Sequence, residues 1–196
     1  MTSAPVRRGD ARRGELEDGV LALILDEGFA HLKLDDVAAR LHCSKRTLYT
    51  LAGSKEQLVR AAVVRFFRDA TGRVERAVTD APSAPSARIA AYLDAVATEL
   101  AVASPRFFED VASFPPAGEV YERNTRAAAR RIGEMIDDGV GRGVFRSVHA
   151  GYVADLVAAQ MVRIQQREVA AATGLSDSQA YAELAALVTA GLSPRG

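Results

Sequence analysis

The stretch HCSKRTLYTLAGSKEQL, residues 42–58, carries Lys45, Arg46 and Lys55 with no acid until Glu56, two serines that can each open a helix, and a tyrosine between them. Cations interleaved with hydroxyls and a phenol are the side chains that hold phosphates and read base edges. If residues 44–51 form a short helix, Lys45, Arg46, Thr47 and Thr50 project from the face opposite its apolar anchors, toward a major groove about 12 Å wide. Arg46 then suits guanine, Thr47 or Thr50 a thymine methyl or a phosphate, and Tyr49 the groove's edge. Lys55, in the first turn of the next helix beside that helix's free N–H groups, suits a phosphate. Other chemistry has poor material. Cys43, the single cysteine, adjoins His42 on a turn, where neighbours seldom align as nucleophile and base. His31, His42 and His149 are too scattered for a metal site, and no glycine-rich phosphate loop or serine elbow is present. The chain reads as no enzyme, with no catalytic residue, metal or cofactor; a small all-helical enzyme is the remote alternative.

These residues need elements to hold them. Leu16, Val20, Leu23 and Ile24 fall at i, i+4, i+7 and i+8, one apolar stripe of a first helix that Gly28 stops. Leu34, Val37, Ala38 and Leu41 repeat the helical spacing over a short second helix. Ser44 caps a two-turn third helix by accepting from the N–H of Thr47, and Ser54 with Gln57 makes a capping box for a fourth, which runs to about residue 79. Two short helices joined by a tight turn, the second exposing basic and hydroxyl groups, are a helix-turn-helix. Leu34, Val37, Leu41, Cys43 and Leu48 anchor it.

Charge agrees with binding through one end. The formal net charge is zero, but residues 1–13 carry four Arg against Asp10, whereas residues 81–196 carry 11 basic against 13 acidic side chains. No signal-peptide core and no apolar run of about 18 residues appears, and one cysteine excludes an internal disulfide; the expected setting is the cytoplasm.

The run GVLALILDEGFAHLKLDDVAARLHCSKRTLYTLAGSKEQLVRAAVVRF, residues 19–66, resembles the N-terminal domain of the tetracycline-repressor (TetR) family of bacterial regulators. The matching features are the first helix ending in EGF, the DDVAARL second helix, SKRTLY, and SKEQL opening the fourth. The resemblance implies a two-domain, all-helical homodimer whose C-terminal domain binds a small molecule and controls DNA affinity. It also implies that Ser44, Lys45, Arg46, Thr47, Tyr49, Thr50 and Lys55 line the DNA. Three positions depart from the family pattern. Leu51-Ala52 stands for the usual His-Phe, His42 stands where the turn often has glycine, and Lys33 replaces the Ser or Thr that usually caps the second helix.

Beyond TDAPSAPSA, residues 79–87, helical patterns resume at about 86–103, 105–112, 117–140, 149–172 and 177–191. The expectation is an all-α fold of about nine helices. Its divisions are a flexible basic arm (1–12), a helix-turn-helix DNA-binding domain (13–58), a connecting helix and linker (59–84), and a larger helical ligand-binding and dimerisation domain (85–196). Tyr92, Phe107, Phe108, Phe114, Tyr121 and Met135, with the polar Gln160 and Arg163, are the expected walls of a ligand pocket. The wide apolar faces of 149–172 and 177–191 fit a symmetric homodimer interface. The whole reads as a dimeric transcriptional repressor of a pseudo-palindromic operator in double-stranded DNA, released by an unidentified small-molecule effector. The alternative is a DNA-binding regulator or scaffold without a ligand. On this reading the fourth helix is the one element able to carry a ligand's effect to the reading head.

Overall fold

The computed structural model describes residues 8–194, and among them every regular element is a helix. Ten helices follow in order: α1 (Arg8–Glu27), α2 (Leu34–Arg40), α3 (Lys45–Leu51), α4 (Lys55–Asp80), α5 (Pro85–Leu100), α6 (Pro105–Ser113), α7 (Pro115–Gly141), α8 (Ala150–Gln165), α9 (Glu168–Thr173) and α10 (Asp177–Leu192). The all-α expectation holds. None of these helices is long and apolar enough to cross a membrane.

Several boundaries differ from expectation for local reasons. Helix α1 starts at Arg8, so residues 8–12, read as part of a flexible arm, are its first turns; residues 1–7 of that arm lie outside the described residues. Helix α7 begins at Pro115, with both prolines of SFPPAGE inside its first turn, where a fixed φ and a missing N–H cost nothing. The segment expected as one helix, 149–172, divides into α8 and α9 because Arg167 takes a left-handed conformation at φ +63°. No glycine or proline marks that break.

Two hydrophobic cores organise the molecule. One joins α1, α2, α3 and the first half of α4 around Val20, Ile24, Leu48, Val63 and Phe66, and it also takes in Phe107 and Val111 of α6 and Ala117 and Val120 of α7. The other joins the second half of α4 with α5, most of α7, and α8 to α10 around Ile89, Leu93, Ile132, Ile136 and Val157. Helix α4 crosses both cores, its buried residues running from Leu58 to Val78 at helical spacing. Helix α6 lies beyond the proline-rich break yet packs with the N-terminal core.

Glycine is required where these cores meet. Gly28 ends α1 at φ +77°, and a Cβ there would stand 2.5 Å from a carboxylate oxygen of Asp110. That oxygen accepts from the N–H of Phe29 at 2.5 Å and of Ala30 at 2.8 Å. The N–H of Ser104 donates to the carbonyl of Leu25 at 2.7 Å. Helix α6 is thereby fastened to the α1–α2 turn. Helix α4 is therefore not the one element joining the C-terminal body to the reading head: α6 makes a second connection.

Candidate nucleic-acid interface and internal cavity

Ser44 opens α3, its hydroxyl accepting from the Thr47 N–H at 3.0 Å. His42 makes the preceding turn at φ +48°, a region histidine tolerates better than most side chains, so it does the work the turn otherwise assigns to glycine. Leu48, 1% exposed, pins α3 to the core, with Leu41 and Cys43 packed beside it. That anchoring decides the other face. Ser44, Lys45, Arg46, Tyr49 and Thr50 are exposed and Thr47 is half-buried.

These side chains are not equally available. Lys45 Nζ lies 2.9 Å from Asp35 in the first turn of α2, and this hydrogen-bonded carboxylate raises the lysine's pKa above its ordinary value. The Thr50 hydroxyl donates to the Thr47 carbonyl at 2.6 Å. Arg46 is exposed and takes part in no ion pair among the described residues. Lys55 Nζ donates to the Ala30 carbonyl at 2.9 Å, tying α4 to the same turn that Asp110 holds.

Both helix caps flanking α3 carry a variation. Lys33 precedes α2 without a side-chain cap, as its chemistry requires, while acidic Asp35 and Asp36 occupy that helix's first turn. Ser54 caps α4 through the Gln57 N–H, but Gln57 Oε1 accepts from Gly53 N at 2.9 Å rather than from the cap residue itself. The reciprocal capping box expected there is formed instead by Ser176 and Gln179 at α10. Leu51 and Ala52, where the family has His-Phe, are half-buried against the N-terminal core.

A cavity of about 300 Å³, open to solvent on one side, lies between α4, α5, α7 and α8. Tyr92 and Tyr121 line it, joined by Phe67, Val96, Met161 and Gln165. Glu75, Glu99, Glu134, Arg130 and Arg131 bring charge to its wall, and Thr71, Asn124 and Thr125 bring neutral polar groups. The Tyr121 phenol donates to Gln165 Oε1, and Gln165 Nε2 donates to Tyr181 Oη at 3.0 Å, a chain that links α7, α8 and α10. Burial pushes the Tyr92 hydroxyl up to about 12, with nearby Glu75 acting in the same direction; burial does the same to Tyr121, also to about 12.

The other residues expected at a pocket lie elsewhere. Phe107, Phe108 and Phe114 belong to an aromatic cluster at the reading head: Phe107 stands 5.6 Å from Phe66 and 5.3 Å from Phe108, and Phe114 stands 5.7 Å from Phe29, centroid to centroid. Met135 is buried in the C-terminal core and does not line the cavity. Gln160 faces a groove between α8 and α10, and Arg163 is exposed and paired with Glu168 at 3.1 Å. Sequence reasoning missed Phe67, Thr71, Asn124, Thr125 and Gln165. A partial signal existed: Thr71 sits four residues after Phe67 and Thr125 four after Tyr121, one helical turn from an aromatic in each case, whereas the burial of Gln165 is visible only in the structure.

The groove between α8 and α10, about 570 Å³, is mostly apolar. Tyr152, Leu156 and Leu187 are 65%, 49% and 70% exposed along it, whereas Val157, Met161, Tyr181 and Leu184 of the same helices are buried within the chain. Each helix thus has two apolar faces, and only one is covered.

Residues 18–62 match the family model for bacterial regulatory proteins of the tetR family. Among curated proteins no sequence matches the chain at a significant level. Solved structures share its fold over nearly its full length. A protein described as a transcriptional regulator from Saccharomonospora viridis, in complex with choline, superposes with a TM-score of 0.78 at 17% identity, covering 96% of this chain and 100% of that one. A TetR transcription regulator from Haloarcula marismortui does so at 0.75 and 15%, covering 93% and 96%. The TetR-family regulator PfmR from Thermus thermophilus gives 0.66 at 19% identity, covering 92% and 99%.

Proposed function

Through residues 18–62 the chain belongs to the tetR family of bacterial regulatory proteins, and from that premise we propose that it is a sequence-specific repressor whose operator affinity is lowered by a small molecule in the α4–α5–α7–α8 cavity. The family is one of transcriptional regulators, not enzymes. The observation that carries the DNA-binding part is the exposed face of α3, with Arg46, Tyr49 and Thr50 opposite the buried Leu48. In this reading Arg46 makes the base contact, with two parallel N–H donors for guanine. Ser44, Lys45, Thr47, Tyr49, Thr50 and Lys55 position the helix on the phosphates and the groove's edge.

The uncovered faces of α8 and α10 support a homodimer. Two chains related by a two-fold axis bury each other's Leu156 and Leu187 and present two α3 helices, one per half-site, about 34–36 Å apart or a multiple of it. The bound choline of the Saccharomonospora viridis protein supports a small-molecule site in the shared fold. The cavity here touches Phe67, Thr71 and Val74 of α4, whose N-terminus abuts α3. A ligand that prefers one setting of α4 shifts the spacing of the two reading heads, and it lowers operator affinity by no more than its own preference between the settings, typically 1–3 kcal/mol.

The test is selection of duplexes from a random library by the full chain, followed by titration of Arg46→Ala on the enriched site. The expected result is a pseudo-palindrome, with discrimination at one base pair per half-site falling by about 1–3 kcal/mol in the variant. A library that yields no enriched sequence, or a variant that loses affinity equally on all DNA, overturns the assignment.

A further inference from the structure

We infer that the cavity between α4, α5, α7 and α8 takes an uncharged, amphipathic molecule that presents a hydrogen-bond acceptor to the Tyr92 hydroxyl, an inference resting on the reading of this cavity as the effector site.

The charges on the wall are already matched. Glu75 receives Arg131 through two hydrogen bonds, at 2.9 Å and 3.1 Å, and Glu134 receives the same guanidinium at 3.4 Å. Glu99, whose side chain is 14% exposed, pairs with Arg73 at 2.6 Å from outside the cavity. Of the charged groups on the wall, only Arg130 has no carboxylate among the described residues, and it is exposed to water. A cation entering here finds no free carboxylate. An anion finds Arg131 committed to Glu75. Arg130 can meet an anion only at the water-exposed rim, where an ion pair contributes little. An ion seated deeper, against Phe67, Val74, Val96 and Met161, must break a pair or lie without a partner, and the penalty of an unpaired buried charge is several kcal/mol.

The neutral polar groups are differently placed. The Tyr92 ring is buried, 5% exposed, and its hydroxyl makes no hydrogen bond among the described residues. With its pKa pushed up to about 12, that hydroxyl is a permanent donor in neutral solution. Left accessible in the cavity, it is free to donate to an acceptor on the ligand, one hydrogen bond being worth about 0.5–1.5 kcal/mol. Phe67, Val74, Val96 and Met161, all buried, offer the complementary apolar surface for the rest of the molecule. A volume of about 300 Å³ stands at the small end of ligand cavities.

Three probes of one skeleton separate the possibilities: methyl 3-phenylpropanoate (neutral, with an ester acceptor), 3-phenylpropanoate (anion) and 3-phenylpropyltrimethylammonium (cation). Each is titrated calorimetrically into the full chain and into Tyr92→Phe, whose folding is verified by its helical dichroism. The expected result is that the ester binds the wild-type chain at least about tenfold more tightly than either ion. In Tyr92→Phe the ester's affinity falls about fivefold, as loss of one hydrogen bond requires. An ion that binds as tightly as the ester, an ester affinity unchanged in the variant, or no binding by any of the three overturns the inference. Operator affinity measured in parallel keeps the two readings apart. Ester binding that leaves operator affinity untouched removes the effector role and leaves the ligand class standing; an ion that binds tightly and releases DNA does the reverse.

Discussion

At the residue scale the reading face is tempered by an acid. Asp35, 68% exposed, holds Lys45, which without it is free to meet a phosphate. Replacing Asp35 with Asn removes one negative charge from the side proposed to face DNA and releases that ammonium. Affinity is expected to rise on operator and unrelated DNA alike, and the slope of log K against log salt to steepen by about one. Fluorescence anisotropy across a salt series reads both; a gain confined to the operator would show that Lys45 reads sequence instead. The buried phenols give a second prediction. Tyr92 and Tyr121 are pushed from 10.0 up to about 12 by burial, so folding favours their neutral form. That stability is fully present below pH 10 and is lost as pH rises through about 12. Ionisation of each group removes about 2–3 kcal/mol by the high end of that window. Tyr92→Phe removes one such group, and its alkaline unfolding, followed by circular dichroism, is expected to begin at higher pH than in the wild-type chain. Superimposable curves would mean that the phenol ionises without cost.

At the scale of elements, the unexpected member is α6. Its Asp110 holds two backbone N–H groups of the turn after α1 with a single oxygen, at 2.5 Å and 2.8 Å, and its Phe107 is fully buried between Phe66 and Phe29. Lys55 at the start of α4 donates to the same turn. The α1–α2 connection is therefore gripped from both routes by which the C-terminal body reaches the reading head. Asp110→Ala leaves two N–H groups without their acceptor, and the expected cost is about 1–3 kcal/mol, a fall in Tm on the order of 5 °C. DNA affinity should drop while helix content stays the same, because α2 and α3 lose their fixed angle to α1 rather than their own hydrogen bonds. Asp110→Asn keeps an oxygen with two lone pairs, so it should retain most of both properties. Differential scanning calorimetry with anisotropy on the two variants tests this. An Asn variant as damaged as the Ala variant would assign the effect to charge instead of to the two bonds.

At the scale of the whole molecule, the apolar surface left on α8 and α10 is the basis of the proposed homodimer, since exposed residues as large as Tyr152, Leu156 and Leu187 lie together along one groove. Leu187→Glu places a charge at the most exposed of them. Sedimentation is expected to show a monomer with unchanged helicity and weak operator binding, because one reading head captures only one half-site. A wild-type chain that sediments as a monomer at micromolar concentration would defeat the dimer. The polar chain Tyr121–Gln165–Tyr181 runs from the cavity wall to α10, so the proposed ligand site and the proposed dimer interface are joined by a hydrogen-bonded connection in addition to α4.

What the sequence by itself determined is what depends on neighbours along the chain. The spacing of Leu16, Val20 and Ile24, the cap at Ser44, the stop at Gly28 and the turn at His42 all act within a few residues, and each helix-turn-helix element is found where that local chemistry puts it. The matched segment, residues 18–62, is the part of the chain where such signals are densest. Only the tertiary structure decided which apolar stripe meets which. Helical periodicity says that Phe107, Phe108, Phe114 and Tyr121 each have a buried side, but not whose surface buries it. Packing sent the phenylalanines to the reading head and left Tyr121 at the cavity with Tyr92. The same holds for the choice of Gln165 over Gln160: both lie on α8, five residues apart, and the angle between them around the helix axis matters only once α7 and α10 fix which side is inward. A pocket is a space among four helices, and no window along the chain contains all four.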